Sequence, residues 1–197
     1  MAARPTRQYF QAKILSTLQS DEFKLNFKLI SAIYANDEEK FDELLASVSD
    51  INKGVGNGSS KWTLLMLAVH NDRISMVDKL LQRGANPNIR DKRNKKSALI
   101  HACANGYSEI VKLLLESKRV TNINFNDNEE GISALFAATK RSRINCIKLL
   151  LDYDIHSQIC DINVATKQNQ QTSVFIACDK GDIEMVKLLL NYKHMRC

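Results

Sequence analysis

The 197-residue sequence is poor in the residues that punctuate turns: it has two prolines and seven glycines, and a single tryptophan. That scarcity argues against a hairpin-rich all-β chain and against low-complexity linkers. No apolar run approaches the roughly 18 residues that a membrane span needs, and no secretory leader is visible. The five cysteines, Cys103, Cys146, Cys160, Cys178 and Cys197, are odd in number and form no C-x-x-C pair. Three of them fall on apolar helix faces. They read as small core hydrophobes of a reducing compartment, which points to the cytoplasm, with the nucleus as the alternative. The opening Met1–Arg7 lacks acids, so a transit peptide stays open as a second reading, although Asp21 and Glu22 follow soon after.

What is present is ordinary soluble usage, with 44% hydrophobic and 25% charged residues. The net charge of +6 is unevenly placed. Residues 61–128 hold twelve basic and six acidic groups, whereas residues 1–60 and 129–197 are close to neutral. A local basic field steers and complements an acidic partner, although solubility alone would also explain it.

Self-comparison shows a repeat. One phrase returns as Thr63–Ala68, Ser97–Ala102, Ser133–Ala138 and Thr172–Ala177. A second phrase follows each, as Met76–Leu81, Ile110–Leu115, Cys146–Leu151 and Met185–Leu190. The intervals Thr63 to Leu80, Ser97 to Leu114, Ser133 to Leu150 and Thr172 to Leu189 are all 17, while the unit-to-unit steps are 34, 36 and 39. All the variation lies after the second phrase. A rigid helix pair with a variable connection accounts for this, since loops absorb insertions.

Both phrases have helical period. Leu99, Ala102 and Cys103 share one face, and Ile110, Val111, Leu114 and Leu115 share another. Thr63, Ser97, Ser133 and Thr172 stand where N-caps are wanted, because their oxygens can accept the orphan N–H groups of a first turn. The first helix of each pair is expected to stop near Asp72, Gly106, Ser142 and Gly181, residues that tolerate left-handed backbone.

The pattern resembles the ankyrin repeat over about residues 24–197. The resemblance implies an all-α solenoid of stacked helix-turn-helix units at about 24–57, 58–91, 92–127, 128–166 and 167–197. The first unit is degenerate, with Leu29–Ala32 and Phe41–Leu45 aligned to the two phrases. Asp50-Ile-Asn52, Asn86-Pro-Asn88, Asn122-Ile-Asn124 and Asp161-Ile-Asn163 align as loops. The family's Pro is replaced by Leu64, Ala98, Ala134 and Ser173, and its His by Met66, Ile100, Phe136 and Ile176, so apolar packing is expected in place of histidine-centred hydrogen bonds. Residues 1–23 form a tail and a capping helix, since Phe10, Ile14, Leu15 and Leu18 share a face in Gln8–Gln19 and solenoids need a polar outer cover.

Catalytic chemistry is not evident. Gly54–Ser60 lacks the Gly-Lys-Ser/Thr order of a phosphate loop and reads as a long connection between units. His70, His101, His156 and His194 occupy distant positions, so no two pair at metal-ligand spacing. His156, Cys160 and Asp161 offer too few ligands for a metal. No cysteine sits with a histidine and an orienting acid. No enzyme activity, cofactor or metal is expected.

In the ankyrin family, partners lie along the concave face, built from loop tips and the ends of first helices. By position this implies Trp62, Lys96 and Ile132 on tips, with Arg93 and Lys95 beside them, and His70, Lys140, Arg141 and Lys180 at helix ends. Trp62 is a candidate hot spot, with local packing as the alternative. Arg90–Lys96 and Lys140–Arg143 are expected to approach one another as a patch suited to carboxylates or phosphates. The expected function is protein–protein interaction by a monomer, with an acidic protein surface or peptide as partner. A second reading is a substrate-recruiting segment of a larger protein or enzyme, such as a pathogen or protist factor. Nucleic acid is disfavoured, because the aromatic interleaving of single-strand binders is missing.

Overall fold

A computed structural model describes residues 20–55, 61–126, 130–153 and 160–194. The expected capping helix at Gln8–Gln19, and His156 of the inserted loop, lie outside the described residues. The chain divides into two compact units, Met1–Asp50 and Ile51–Cys197.

In the first unit, α1 (Asp21–Ala35) and α2 (Glu38–Leu45) pack together as a helix pair. Ser20 caps α1 by accepting the Phe23 N–H, and Asp37 caps α2 by accepting the Lys40 N–H. Asn36 takes left-handed backbone between them, at φ 57°. Leu29, Ala32, Ile33, Phe41 and Leu45 are buried. The degenerate first repeat is therefore a helix pair at the expected phrases.

The second unit opens with β1 (Gly54–Val55) and β2 (Trp62–Thr63), which pair antiparallel with Val55 opposite Trp62. Four helix pairs follow: α3 (Leu64–His70) with α4 (Ile74–Gln82), α5 (Ala98–Asn105) with α6 (Ser108–Glu116), α7 (Ala134–Lys140) with α8 (Ile144–Asp152), and α9 (Ser173–Asp179) with α10 (Ile183–His194). First helices stack on first helices and second on second, giving two layers. The strand pair departs from the expectation of a plain connection, because the backbone on either side of residues 56–60 is hydrogen-bonded across.

Local chemistry repeats with the register. Thr63, Ser97, Ser133 and Thr172 each accept the N–H of the residue three further on, satisfying a first-turn donor. Asp72, Gly106, Ser142 and Gly181 all adopt positive φ where the first helices end. A second left-handed position precedes each cap by two residues, at Lys61, Lys95, Gly131 and Gln170. The bond from Phe175 N–H to Thr172 corrects the alignment of the last repeat, where the family's His position is Phe175 rather than Ile176. Met66, Ile100 and Phe136 at that position are buried, as apolar substitution requires, whereas Phe175 is 51% exposed.

The core lies between the layers. Met76, Val77, Leu80, Ile110, Val111, Leu114, Cys146, Ile147, Leu150, Met185 and Leu189 are buried from the second helices. Cys103 and Cys146 are buried free thiols, and burial pushes both up in pKa. The third helical cysteine, Cys178, is exposed, so it is not a core residue. Cys160 is buried although it lies on a loop, its thiol pushed up to about 12 by burial and then by Asp161.

Within the second unit, the Asn-containing loops join successive repeats. Asn52 accepts the Asn86 N–H (2.7 Å), Asn88 accepts the Thr121 N–H (3.0 Å), and Asn124 accepts the Asp161 N–H (2.7 Å). Each asparagine thus meets a backbone donor one repeat further on. Gly106 and Ser142 have a parallel use. The Arg143 side chain lies over Gly106 so closely that a Cβ there would sit 2.6 Å from its Cδ. The Lys180 ammonium donates to Lys140 O (2.7 Å) and Ser142 Oγ (3.0 Å). Lys180 therefore serves the repeat junction rather than standing ready for a partner.

Candidate protein-interaction face

Tip residues and the ends of first helices meet at two junctions of the second unit, between the second and third repeats and between the third and fourth. Two of the tips share one turn. In the third repeat, Asp91 is buried, and its carboxylate accepts the N–H groups of Asn94 (2.6 Å) and Lys96 (3.0 Å), while its own N–H donates to Lys96 O (3.0 Å). Thr166 does the same in the fifth repeat, accepting the Gln171 N–H. Asp91 therefore shapes the turn that carries Lys92, Arg93, Asn94 and Lys95. It was not singled out as a site residue from the sequence, where it looks like one acid interrupting a basic run. The detectable signal was its place six residues before the cap, shared with Thr166.

The basic run is divided by this turn. Arg90 is taken up by Phe125, with its guanidinium 3.1 Å from the ring centroid. Lys92 and Arg93 are exposed, and Lys95 and Lys96 are half-buried. Lys61 joins them from the second repeat: it is the first cause, ahead of Lys95, of the lowered pKa of the Lys92 ammonium. Like charges are crowded here, which favours arrival of an anion. Lys61 also went unnoticed in the sequence, although it holds the same register position as Lys95.

At the junction of the second and third repeats, Trp62 is half-buried. Its ring lies 4.8 Å from that of His70, edge on, and 5.0 Å from that of His101. The His70 and His101 rings are themselves 6.4 Å apart. Histidines 31 residues apart in sequence are thus neighbours, which corrects the expectation that they occupy distant positions. Among the described residues, no group of three or more His, Cys, Asp or Glu side chains could hold a metal ion. His101 Nε2 stands 3.5 Å from Asp91 Oδ2 without completing a hydrogen bond. Burial lowers the His101 pKa, and the Asp91 carboxylate opposes that shift.

At the next junction the face is open. Lys96, Ile100, Ala104, Glu130, Ile132, Ala137, Lys140 and Arg141 line a groove of about 390 Å³. Four of the expected residues, Lys96, Ile132, Lys140 and Arg141, are thereby brought together. Ile132 is not an exposed tip as expected: it is only 8% exposed and forms part of the groove floor. Its tip is fastened to the following repeat, where the Lys167 N–H donates to Glu130 O (2.9 Å). Lys140 and Arg141 project from the end of α7 and are exposed. Trp62 and His70 belong to the neighbouring aromatic cluster, and Arg93 and Lys95 to the basic tip. Among the described residues, no helix is long and apolar enough to cross a membrane.

The model for ankyrin repeats in three copies matches residues 29–127 and again 118–196. Similar curated proteins include the nuclear factor NF-kappa-B p105 subunit of Gallus gallus, 30% identical over 128 residues, covering 65% of this chain and 12% of that protein. The ANK repeat-containing protein nipk-1 of Caenorhabditis elegans is 30% identical over 158 residues, covering 75% of this chain and 26% of that protein. A probable E3 ubiquitin-protein ligase, XBOS33 of Oryza sativa subsp. japonica, is 33% identical over 87 residues, covering 44% of this chain and 16% of that protein. The chain thus spans about a quarter or less of the length of these relatives. The matched models, the four capped helix pairs of the second unit and the asparagine-linked loops lead to one conclusion: the chain belongs to the ankyrin-repeat family of all-α, protein-interaction modules.

Proposed function

We propose that this array holds a partner protein along its concave face, and that it does so as a monomer without catalysis of its own. The contact surface centres on Trp62, His70, Arg93, Lys95, Lys96, Ile132, Lys140 and Arg141, and it suits an acidic protein surface or peptide. The observation that carries this reading is the groove in which Lys96, Lys140 and Arg141 ring an apolar floor. An aromatic and apolar centre with a charged rim is the usual anatomy of an interface. The cytoplasm or the nucleus is the compartment that free, buried thiols suit.

A second reading has a specific support. The similar proteins are several times longer than this chain, and two of them are named as ubiquitin ligases. The repeats would then recruit a substrate for chemistry performed elsewhere in a larger protein.

The test is affinity capture followed by mass spectrometry, with each identified partner titrated against variants. Trp62→Ala should mainly speed dissociation. Lys95→Glu/Lys96→Glu should mainly slow association and weaken its salt dependence. Lys148→Glu, an exposed position on α8, is the control. If both test variants bind as the parent does, the concave face is not the docking surface.

A further inference from the structure

The groove at the third–fourth junction exists because two register positions carry alanine. One repeat earlier, the equivalents of Lys96, Ala104 and Ala137 are Trp62, His70 and His101, whose rings pack together edge-on and tilted. The same three positions are filled with rings at one junction and left open at the next. The opening is about 390 Å³, at the small end of the roughly 300–1,000 Å³ typical of ligand pockets.

The lining decides what enters. The floor is Ile100, Ala104, Ile132 and Ala137, none of which has a polar side-chain atom. A small polar ligand needs convergent buried donors and acceptors, and this floor supplies none from its side chains. The rim carries Lys96, Lys140 and Arg141 against the single carboxylate of Glu130. Lys140 and Arg141 are exposed, follow one another at the end of α7 and both line the opening. The further cations Lys92, Arg93 and Lys95 extend the positive field from the groove along the tip of the third repeat.

Resting on the concave-face reading above, we infer that this groove takes one apolar side chain from an extended acidic segment of the partner, with carboxylates on both sides of that side chain paired to Lys96, Lys140 and Arg141. The apolar floor supplies burial and the rim supplies register. The neighbouring junction, closed by Trp62, His70 and His101, cannot take a second such side chain and acts as a wall.

A phage-displayed library of random peptides, selected on the intact chain, tests this directly. Enriched peptides should share one aliphatic or aromatic residue with at least two Asp or Glu within three positions of it. Ala104→His/Ala137→His, which installs the residues that close the preceding junction, should weaken those peptides at least tenfold. Arg141→Glu, a surface change that leaves the floor intact, should weaken them to a similar degree, and Lys148→Glu should leave them unchanged. Peptides enriched without an acidic excess, no enrichment at all, or full binding to Ala104→His/Ala137→His with retained helicity would each overturn the inference. Should that double variant unfold, the Arg141→Glu result decides. The two readings fail separately: a partner protein lost on Trp62→Ala but indifferent to Ala104→His/Ala137→His leaves the concave face standing and removes the groove.

Discussion

The junction between the second and third repeats and the junction between the third and fourth are built on one register, yet they present opposite surfaces. At the first, Trp62, His70 and His101 occupy the space between the helix ends with rings packed edge-on and tilted. At the second, Lys96, Ala104 and Ala137 leave an open groove under a basic rim. The backbone beneath is alike: both repeats cap their first helix with a hydroxyl and start its tip from a left-handed residue two positions earlier. The difference teaches that the repeat frame and the recognition surface are separable. Positions that serve the core recur, and positions on the tips and helix ends are free to differ.

The comparison presupposes a common core under both junctions, and the largest expected effect tests that core. Leu114 on α6 is fully buried between the two junctions. Leu114→Ala should destabilise by about 2–5 kcal/mol through the cavity it leaves. Denaturant unfolding followed by circular dichroism would read this, and a loss under about 1 kcal/mol would mean the core runs elsewhere. In a stacked array the loss can show as local melting of the central repeats.

A sharper contrast concerns the tips themselves. Gly131 and Lys95 hold the same register position, and both have positive φ. A Cβ on Gly131 would stand 2.9 Å from Lys167 N, against backbone that cannot yield. Gly131→Ala should therefore cost about 1–3 kcal/mol. Lys95→Gly should instead be neutral or stabilising by up to about 1 kcal/mol, since it relieves left-handed strain and removes a charge from a crowded cluster. Equal responses in thermal melts would show that the two tips are not built alike.

The loop asparagines offer a smaller test. Asn124→Ala removes the acceptor for the Asp161 N–H, so it should cost about 0.5–1.5 kcal/mol, with Asn88→Ala in the same range. Hydrogen exchange of the Asp161 and Thr121 amides would report each lost bond at its own junction.

The closed junction should also respond to pH while the open one does not. Burial lowers the His101 pKa, so the fold favours neutral imidazole. A depressed pKa gives stability that is complete above the unfolded value of roughly 6.5 and is lost as pH falls below it. Asp91 opposes the shift, and Lys96 and His70 add to it. Chemical denaturation at pH 7.5 and 5.5 should show a loss that shrinks in His101→Leu, a change that borrows the residue Leu67 from the same register. A variant as acid-sensitive as the parent would move the effect to another group.

The smallest expected change in stability is at the groove. Ala104 is half-buried at the helix end, so Ala104→Lys, which copies Lys140 at the same register, should stay within about 0.5 kcal/mol of the parent. A large loss would show that the opening is a packed part of the core.

Much of this was legible in the chain. The caps at Thr63, Ser97, Ser133 and Thr172, the left-handed stops at Asp72, Gly106, Ser142 and Gly181, and the buried faces of the second helices all depend on residues within a turn or two of each other. Periodicity carries such information because the forces are local. The role of Asn88 and Asn124 was not legible, although the motif was, because each acceptor meets a donor from the next repeat. Ile132 was misplaced for a related reason: its tip is drawn against Lys167, a contact across a loop whose length the register did not constrain.

By itself, then, the sequence determined that the chain is a series of capped helix pairs, that a family of stacked repeats is the frame, and that basic charge gathers near its middle. Tertiary structure alone decided which side chains meet. Stacking brings together residues more than thirty positions apart, so Trp62 finds His101, and Ala104 and Ala137 line one opening. Side chains at matching register come into contact only when the layers close, and their sizes then set whether the face between repeats is filled or left open.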